Sequence, residues 1–209
     1  MGQIISVYGD LLLTAMGQTL LLALCGLLFA CILGLIFGMM SVLKSRVCNI
    51  IAAVFVDIIR GVPMVINDLL NSGFTLSPLQ AGTICLALNC GAYMAEIIRG
   101  GIQSVDKGQM EAARSLGMPY WRAMRRVVLP QAIRTMIPSI INQFIITFKD
   151  TSILSVIGFP ELVNTAKNVV AITYKSAQVW FIVGVMYLII ITILSRVAKL
   201  VERRLNRGR

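Results

Sequence analysis

The apolar run from Thr19 to Val42 contains no charged residue and is long enough to cross a bilayer as a helix. Hydrophobic residues make up 57% of the 209-residue chain, whereas charged residues make up only 13%. In soluble domains about a quarter of the residues are charged, so this chain has too little charge to cover a globular surface. We therefore expect lipid to surround much of the chain.

Apolar runs of this kind recur along the sequence. The five predicted spans lie at about 19–43, 50–70, 79–98, 132–149 and 178–198. Each takes roughly 20 residues, so the five occupy about half the chain, and a single domain over 1–209 is expected. Because 1–43 contains no Lys or Arg, the basic start of a signal peptide is missing, and the first run is expected to be a retained span. The sequence predicts an all-α integral membrane protein of about five transmembrane helices with short cytoplasmic helices.

The first run also carries small residues at four-residue spacing, at Ala30, Gly34 and Gly38. Such a stripe lets another helix approach closely. It predicts a packing face and no further property.

Basic residues are distributed unevenly among the connections. Fifteen Lys and Arg residues fall in 44–49, 99–134 and 196–209, whereas three fall in 149–177 and none in 1–43. The positive-inside rule therefore places the N-terminus outside and the C-terminus in the cytoplasm. Contact of the basic segments with an anionic inner leaflet then accounts for the net charge of +10, so nucleic acid is not an expected partner.

Residue types needed for most catalytic or metal centres are missing. The chain has no histidine, and none of its five cysteines forms a CxxC pair. The patterns GxSxG, HExxH and GxxxxGK[ST] are absent as well. We expect buried thiols, no metal site, no cofactor and no enzymatic activity.

The segment 104–131 is the longest predicted cytoplasmic connection. Asp106 can cap a helix of good helix formers, which Gly117 then ends. A second helix is expected over 121–128, ending before Leu129-Pro130. Two short helices at an angle would present a polar side to a cytoplasmic partner.

The second predicted span is irregular. Six residues interrupt it or follow closely: Asp57, Arg60, Gly61, Pro63, Asn67 and Asp68. A charge near the bilayer centre costs at least ~2.5 kcal/mol, so these side chains are expected to face the protein interior or water. Pro63 is expected to break the helix near Gly61. The alternative is that Arg60 lies near an interface and extends its side chain toward it.

Polar groups at membrane depth mark a candidate substrate path. The candidates are Arg60, Asn89, Tyr93, Glu96, Lys149, Asp150, Thr151 and Ser152. Asn89, Tyr93 and Glu96 are four and three residues apart, so they share one helix face.

A zwitterionic ligand needs a cation for its carboxylate and an anion for its amine. Lys149 or Arg60 can supply the first, and Asp150 or Glu96 the second. Two alternatives stay open: Lys149 and Asp150 pair only with each other, and Glu96 is a charge at the cytoplasmic helix end near Arg99.

Several motifs carry a family resemblance. Glu111-Ala112-Ala113 precedes Gly117, and Val127-Val128-Leu129-Pro130 follows after nine more residues. This pattern resembles the EAA loop of the membrane subunits of binding-protein-dependent ABC importers. Neighbouring motifs narrow the resemblance to permeases for polar and basic amino acids: RGVP at 60–63, LNCGAYMAEI at 88–97, RGGI at 99–102, PQA at 130–132 and KDTSILSVIG at 149–158. The resemblance extends from about residue 10 to the C-terminus.

The resemblance implies a multi-pass permease subunit of the bacterial inner membrane that forms a translocation path. Its implied partners are cytoplasmic ABC ATPase subunits, an extracellular or periplasmic amino-acid-binding protein, and a second permease copy or paralogue. ATP hydrolysis is then expected on the ATPase subunits. The EAA segment is expected to form coupling helices that dock on the ATPase, through Glu111, Ala112, Ala113, Gly117, Leu129 and Pro130.

The chain departs from the family in one place. The stretch from Pro63 to Pro78 is several residues shorter than usual, and Asn67-Asp68-Leu69-Leu70 stands where family members have aromatic residues and a Gln. The departure affects the region where the substrate pocket and external gate are expected.

Two other functional classes stay open. A stand-alone transporter or channel is disfavoured, because such proteins are usually built from repeats and none is visible among the five spans. A scaffold that docks a cytoplasmic partner without transport would explain the docking segment and the shortened second span. It would leave the acid–base pairs at depth unexplained.

Overall fold

The computed structural model describes residues 2–43, 45–61 and 77–206, and these contain no strand. The α-helices in these ranges are α1 (Gly2–Met40), α2 (Arg46–Gly61), α3 (Pro78–Gln103), α4 (Lys107–Ser115), α5 (Tyr120–Ala123), α6 (Leu129–Asp150), α7 (Leu162–Thr173) and α8 (Ser176–Asn206). A π-helical segment, Met124–Val128, joins α5 to α6, and a 3-10 helix, Thr151–Ile157, follows α6. The predicted all-α class is confirmed.

Four helical stretches within the described ranges are long and apolar enough to cross a membrane. They are Gly2–Met40, Pro78–Gln103, Tyr120–Ile157 and Ser176–Arg203. These stretches correspond to the first, third, fourth and fifth predicted spans. The second, at 50–70, coincides with α2 as far as Gly61, and its remainder, including the expected break at Pro63, lies outside the described residues.

The first helix begins much earlier than the sequence predicts. α1 begins at Gly2, whereas the apolar run begins at Thr19, because Asp10 and other polar residues interrupt the apolar pattern before it. This first part is helical since it buries one face, with Ile4 and Leu12 packed in a core cluster that also contains Phe148 and residues of α7 and α8. At 39 residues, α1 is roughly 58 Å long, well beyond the roughly 30 Å hydrocarbon core.

The expected helix end before Leu129-Pro130 is wrong. The chain stays helical from Tyr120 to Ile157, and the π-helical segment Met124–Val128 lies in the turn before Pro130. There the amide of Leu129 donates to the carbonyl of Met124, five residues back. Proline lacks an N–H and crowds the preceding turn, and a π-turn widens the helix where that crowding occurs.

The small-residue stripe of α1 packs against α3. A Cβ added at Gly38 would lie 2.8 Å from Ile98 Cβ, and one added at Gly26 would lie 2.9 Å from Leu86 Cβ. Ala30, between them, is completely buried. The predicted close approach is therefore confirmed, and its partner is α3.

The contacts also give the relative directions of the helices. Residues of α1 pair with residues of α3 sixty positions later, as in Gly26 with Leu86 and Gly38 with Ile98, so these two helices run parallel. Gly101 of α3 contacts Met136 of α6, whereas Gly82 contacts Leu154 just beyond α6. α3 and α6 are therefore antiparallel.

A buried carboxylate fixes the start of α7. Glu161 is completely buried and accepts hydrogen bonds from the amides of Val163 at 2.7 Å and Asn164 at 2.5 Å. Burial raises the pKa of this carboxyl, while the two amide donors oppose the rise. The amide of Leu162 donates to Thr19 Oγ1 at 3.1 Å, which ties α7 to α1.

The α1–α3 contact predicts a position-dependent effect of adding a methyl group to α1. Gly34→Ala would place its Cβ against Met94, 3.2 Å from the backbone carbonyl carbon, which cannot move away as a side-chain tip can. We expect a loss of about 1–3 kcal/mol in the free energy of unfolding in detergent, as for other overpacked sites. Gly17→Ala is the matched control, because nothing lies within 4 Å of its added Cβ. Equal effects of the two substitutions would contradict the close packing.

Candidate functional site

Charged and aromatic side chains join the end of α2 to α3. The Arg60 guanidinium forms an ion pair with the Glu96 carboxylate and lies 4.8 Å from the centroid of the Tyr93 ring. Arg99 Nη2 lies 3.8 Å from the other Glu96 oxygen. These side chains are about one-third to one-half exposed, so water reaches the group. One carboxylate thus holds two arginines, and one of those arginines also contacts an aromatic ring.

A polar cavity of about 300 Å³ opens beside this group, between α1, α2 and α3. Its polar lining consists of Ser41, Asn49, Asp57, Glu96, Arg99 and Gln103. The Oδ1 atom of Asn49 is buried and has no hydrogen-bond partner within the described part of the chain. The cavity therefore contains an acceptor, two carboxylates and a guanidinium that face a common space.

The predicted polar face of α3 is present. Asn89, Tyr93 and Glu96 are all partly exposed, whereas the residues between them include the buried Cys90 and Met94. Arg60 joins this face from α2. Of the eight predicted substrate residues, Arg60 contacts Tyr93 and Glu96. Asn89 lies on the same face of α3 but forms no hydrogen bond with these three.

The remaining four predicted residues lie where α6 passes into the 3-10 helix. Lys149 is exposed and Asp150 is half-buried. Thr151 is completely buried and donates from Oγ1 to the carbonyl of Phe148 at 2.7 Å, and Ser152 donates from Oγ to the carbonyl of Lys149 at 2.8 Å. Both hydroxyls are therefore engaged with the helix backbone.

Lys149 and Asp150 do not form an ion pair with each other. Both ion pairs found among the described residues are formed by Glu96. No hydrogen bond or ion pair in those ranges joins Lys149 or Asp150 to the group around Glu96. The two charged groups are separate.

The packing of α3 on α6 gives the spacing of the two groups along the bundle. The Cys90 thiol of α3 lies beside Thr147 of α6, and Asp150 follows Thr147 by three residues. Glu96 is six residues from Cys90 in the opposite axial direction, because the helices are antiparallel. At 1.5 Å per residue, Asp150 and Glu96 are separated by roughly 14 Å along the helices.

The predicted helical hairpin is formed by α4, α5 and the turn between them. Asp106 caps α4 by accepting from the amide of Gly108 at 2.7 Å, as predicted. Gly117 ends the hairpin's first helix with φ +81°, a left-handed conformation that glycine adopts without strain. The amide of Met118 donates to the carbonyl of Ala113, and the amide of Gly117 donates to the carbonyl of Arg114, which together form a Schellman motif.

The hairpin presents some of its predicted coupling residues to solvent and buries others. Glu111, Ala112, Gly117 and Pro130 are exposed, Leu129 is half-buried, and Ala113 is buried. The residue before Gly117, Leu116, is 81% exposed, so an apolar side chain projects from the turn. These positions form a surface with an acidic and an apolar part.

A side-chain bond between the hairpin and the bundle was not predicted from the sequence. Gln131 Nε2 donates to Gln109 Oε1 at 3.2 Å and to the carbonyl of Val127 at 3.0 Å. Gln131 belongs to a family motif, but its partner lies 22 residues away, which no local pattern reveals. The sequence also does not predict the part of the polar cavity that Asn49 and Gln103 line, because these two residues are far apart in the chain.

Membrane-length helices with a polar face on α3, joined to a short exposed hairpin at one end, are typical of a multi-pass membrane protein with a docking surface. The glutamine transport system permease protein GlnP of Escherichia coli (strain K12) is 37% identical over 168 residues, which cover 77% of each chain. The arginine transport system permease protein ArtQ of Bacillus subtilis (strain 168) is 36% identical over 163 residues, which cover 75% of this chain and 74% of that one. A solved structure of an amino acid ABC transporter with histidines matches with a TM-score of 0.90 at 35% identity, over 96% of both chains.

The family model for binding-protein-dependent transport system inner membrane components matches residues 14–207. The chain belongs to this family, and the predicted resemblance is confirmed. It is the non-enzymatic, inner-membrane component of such a system, and ATP is hydrolysed by a separate subunit. A separate ATPase and a substrate-binding protein are the general partners of this family.

The ion pair between α2 and α3 can be tested with a double-mutant cycle. Glu96→Gln and Arg60→Gln should show a coupling of about 1 kcal/mol in the free energy of unfolding in detergent. This coupling energy is smaller than that of a buried ion pair, because water reaches both side chains. The control cycle combines Arg60→Gln with Asp57→Asn, an acid one turn away on α2 that forms no ion pair among the described residues. Equal coupling in both cycles would show that the pairing with Glu96 is not specific.

Proposed function

We propose that this chain is the permease subunit of an ATP-driven importer of amino acids, with polar or basic amino acids as substrates. The similarity to glutamine and arginine permeases over three quarters of the chain supports the substrate class. One observation carries the proposal. The hairpin is joined to the spanning helix α6 by the Gln109–Gln131 hydrogen bond, while its predicted coupling residues Glu111, Ala112 and Gly117 stay exposed. By resemblance, a second copy or a paralogue completes the path.

The proposed orientation has the N-terminus outside and the C-terminus in the cytoplasm. The parallel course of α1 and α3 supports it, because it brings residue 45 and the hairpin to the same side of the membrane. That side carries most of the basic residues. The coupling experiment below also tests this orientation, since a hairpin on the outer side cannot contact a cytoplasmic ATPase.

In the proposed mechanism the hairpin transmits movement of the ATPase to the helices. Glu111 offers an anion to a basic partner surface, and the exposed turn at Leu116-Gly117 offers an apolar contact. Ala112 belongs to the same exposed surface, while Ala113 packs inward. Because the hairpin continues into α6 without a helix break past Leu129-Pro130, a displacement of its turn moves α6 directly.

The proposed substrate path includes both polar groups. On this proposal Lys149 binds the substrate carboxylate and Asp150 its ammonium, since these two charges are adjacent and form no salt bridge with each other. Thr151 and Ser152 hold the backbone at this turn through their hydroxyl groups. The group of Arg60, Asn89, Tyr93 and Glu96 is proposed as a second position, roughly 14 Å further along the path.

Gly117 and Glu111 give a test of coupling. The conformation at φ +81° strains a β-branched residue, so Gly117→Val should distort the turn and uncouple transport from ATP hydrolysis, while the protein still inserts. Gly117→Asn is the matched control, because asparagine tolerates this conformation and nothing lies within 4 Å of the added Cβ.

The charge arm of this test uses Glu111→Lys, which should lower substrate-stimulated ATPase activity at least tenfold in the reconstituted complex. Glu202→Lys, at an exposed carboxylate near the end of α8, should leave the activity close to that of the wild type. If Gly117→Val and Glu111→Lys transport and hydrolyse ATP like the unmutated complex, the coupling assignment is wrong.

Asp150 gives a test of the substrate site. Asp150→Asn should abolish uptake of a cationic amino acid, because a substrate ammonium would lose its anion, while membrane abundance and basal ATPase activity persist. Uptake by the unmutated chain with its partners is measured first, since residues 64–76 of the shortened segment lie outside the described residues. Asp10→Asn, an exposed acid of α1, is the control.

A purely structural role of Asp150 predicts a different result. The single variant would then misassemble, and the double variant Asp150→Asn with Lys149→Met would regain both assembly and uptake. That rescue would assign Asp150 to the scaffold.

A further inference from the structure

Four buried residues follow one another at intervals of four where the hairpin leads into α6. They belong to one core cluster with Ile98 and Ile102 of α3, and each is at most 5% exposed: Met124, Val128, Ala132 and Met136. An α-helix has 3.6 residues per turn, so each step of four residues advances roughly 40° around the axis. Over three steps, Met136 would lie roughly 120° from Met124. A regular α-helix would therefore spread the four residues over a third of its circumference.

The π-helical segment Met124–Val128 reduces this spread. Its hydrogen bonds join residues five apart, as from the Leu129 amide to the Met124 carbonyl, so one turn contains more residues than in an α-helix. Each residue of the segment then advances by less than the roughly 100° of an α-helix, which rotates Ala132 and Met136 back toward the face that carries Met124. In effect the segment is a regular helix with one residue inserted. The four buried residues share a narrower face because of that extra residue.

The hairpin is held to the bundle on both sides of this segment. Ser104, which follows α3, has its Oγ atom 3.4 Å from Thr135 Oγ1 of α6. Gln131 of α6 donates both to Gln109 of α4 and to the carbonyl of Val127 within the π-helical segment. Because both ends of the hairpin are attached, a rotation of the π-helical segment about its axis would break these contacts. The number of residues between the hairpin and α6 therefore determines the angle at which the hairpin is presented.

We propose that the extra residue of the π-helical segment positions the hairpin, and that Pro130 makes this residue obligatory. Without it, Pro130 would lie inside a regular helix, and its ring would clash with the carbonyl four residues back. Val127 is half-buried and lies outside the core cluster, so the residue count matters here and not its side chain. Resting on the proposed function, this orientation decides which residues of the hairpin meet the ATPase. Pro130 is thus a positioning residue for coupling.

The test removes the extra residue and then the proline. The full chain is assembled with its partner subunits, with its five native cysteines replaced by alanine. Gln109→Cys and Gln131→Cys then report the attached hairpin through a short thiol-reactive cross-linker. Deletion of Val127 should lower the cross-linking yield at least about tenfold, because Pro130 then clashes within the helix.

Adding Pro130→Ala to the deletion should restore the cross-linking yield to within about twofold of the parent. The buried residues are then spaced by three, four and four in a regular helix, which brings Met136 to within roughly 20° of Met124. In a chain that is only destabilised, a second change would add to the damage, so recovery is specific to this pair of changes. The recovery also keeps the test readable if the deletion alone assembles poorly.

The matched control is Val127→Ala, which changes the side chain but keeps the number of residues. It should cross-link within about twofold of the parent, because Val127 contributes nothing to the core cluster. If it lowers the yield as much as the deletion does, the side chain is responsible and the proposal is wrong.

Two further outcomes would overturn the proposal. If the deletion cross-links like the parent, the extra residue does not position the hairpin. If Pro130→Ala fails to restore the deleted chain, Pro130 is not the reason that the extra residue is needed.

Cross-linking also separates this proposal from the coupling role of the hairpin. ATP-driven uptake is measured for the deletion and for Val127→Ala without the introduced cysteines, and only the deletion should lose it. If cross-linking falls and recovers as expected while the unmutated complex shows no ATP-driven uptake, the coupling role is wrong and the positioning of the hairpin is supported.

Discussion

Close contact between α1 and α3 is the interaction on which the rest of the structure depends. Within lipid, two helices gain little from hydrophobic burial, so their association depends on van der Waals contact and short distances between backbones. Gly26, Ala30, Gly34 and Gly38 provide that distance, since each lacks a side chain large enough to separate the helices. α3 then presents its other faces to α2 and α6. Every candidate functional group is positioned directly or indirectly against α3.

In this arrangement, side-chain contacts link the hairpin to the polar groups on α3. Met124 and Val128, just beyond the hairpin, pack on Ile98 and Ile102 at the end of α3, while Gln131 bonds to Gln109 of α4. Arg99 lies between Ile98 and Ile102 along the chain and contacts Glu96, which in turn holds Arg60 of α2. A series of packed and ion-paired side chains therefore connects the hairpin region to α2, and the proposed coupling would use this connection. Such contact is a physical route for coupling, and mutant cycles between these residues would measure its coupling energy.

The sequence predicts those features that rest on local composition. Apolar runs predict four of the spans, Asp106 and Gly117 predict both ends of α4, and the Gly34–Gly38 stripe predicts a packing face. The start of α1 was missed, because residues 2–18 become helical by packing on α7 and α8 rather than by their own pattern. The break expected before Leu129-Pro130 was wrong, because a π-turn absorbs the proline at little cost.

Long-range pairs within the candidate site were the least predictable part. The partner of Glu96 is 36 residues away in the chain, and the partner of Gln109 is 22 residues away, so neither follows from a local motif. The spacing of Asn89, Tyr93 and Glu96 correctly gave a common helix face. It did not show which of these residues contact the arginine at the end of α2.

In the proposed substrate path, the axial separation of the two polar groups affects how an amino acid would move between them. The ammonium and carboxylate of an amino acid are attached to one carbon. Under this proposal Lys149 and Asp150 would bind both, whereas Asp150 and Arg60 would be too far apart to do so. At the second group the substrate meets a carboxylate that already holds two arginines. Each contact it forms there must replace an existing one, so the net gain is small. On this proposal the second position would bind the substrate weakly because of its internal ion pairs, and it would suit release toward the proposed cytoplasmic side. Lys149 and Asp150, which take part in neither ion pair of the described residues, would suit uptake from the proposed outer side.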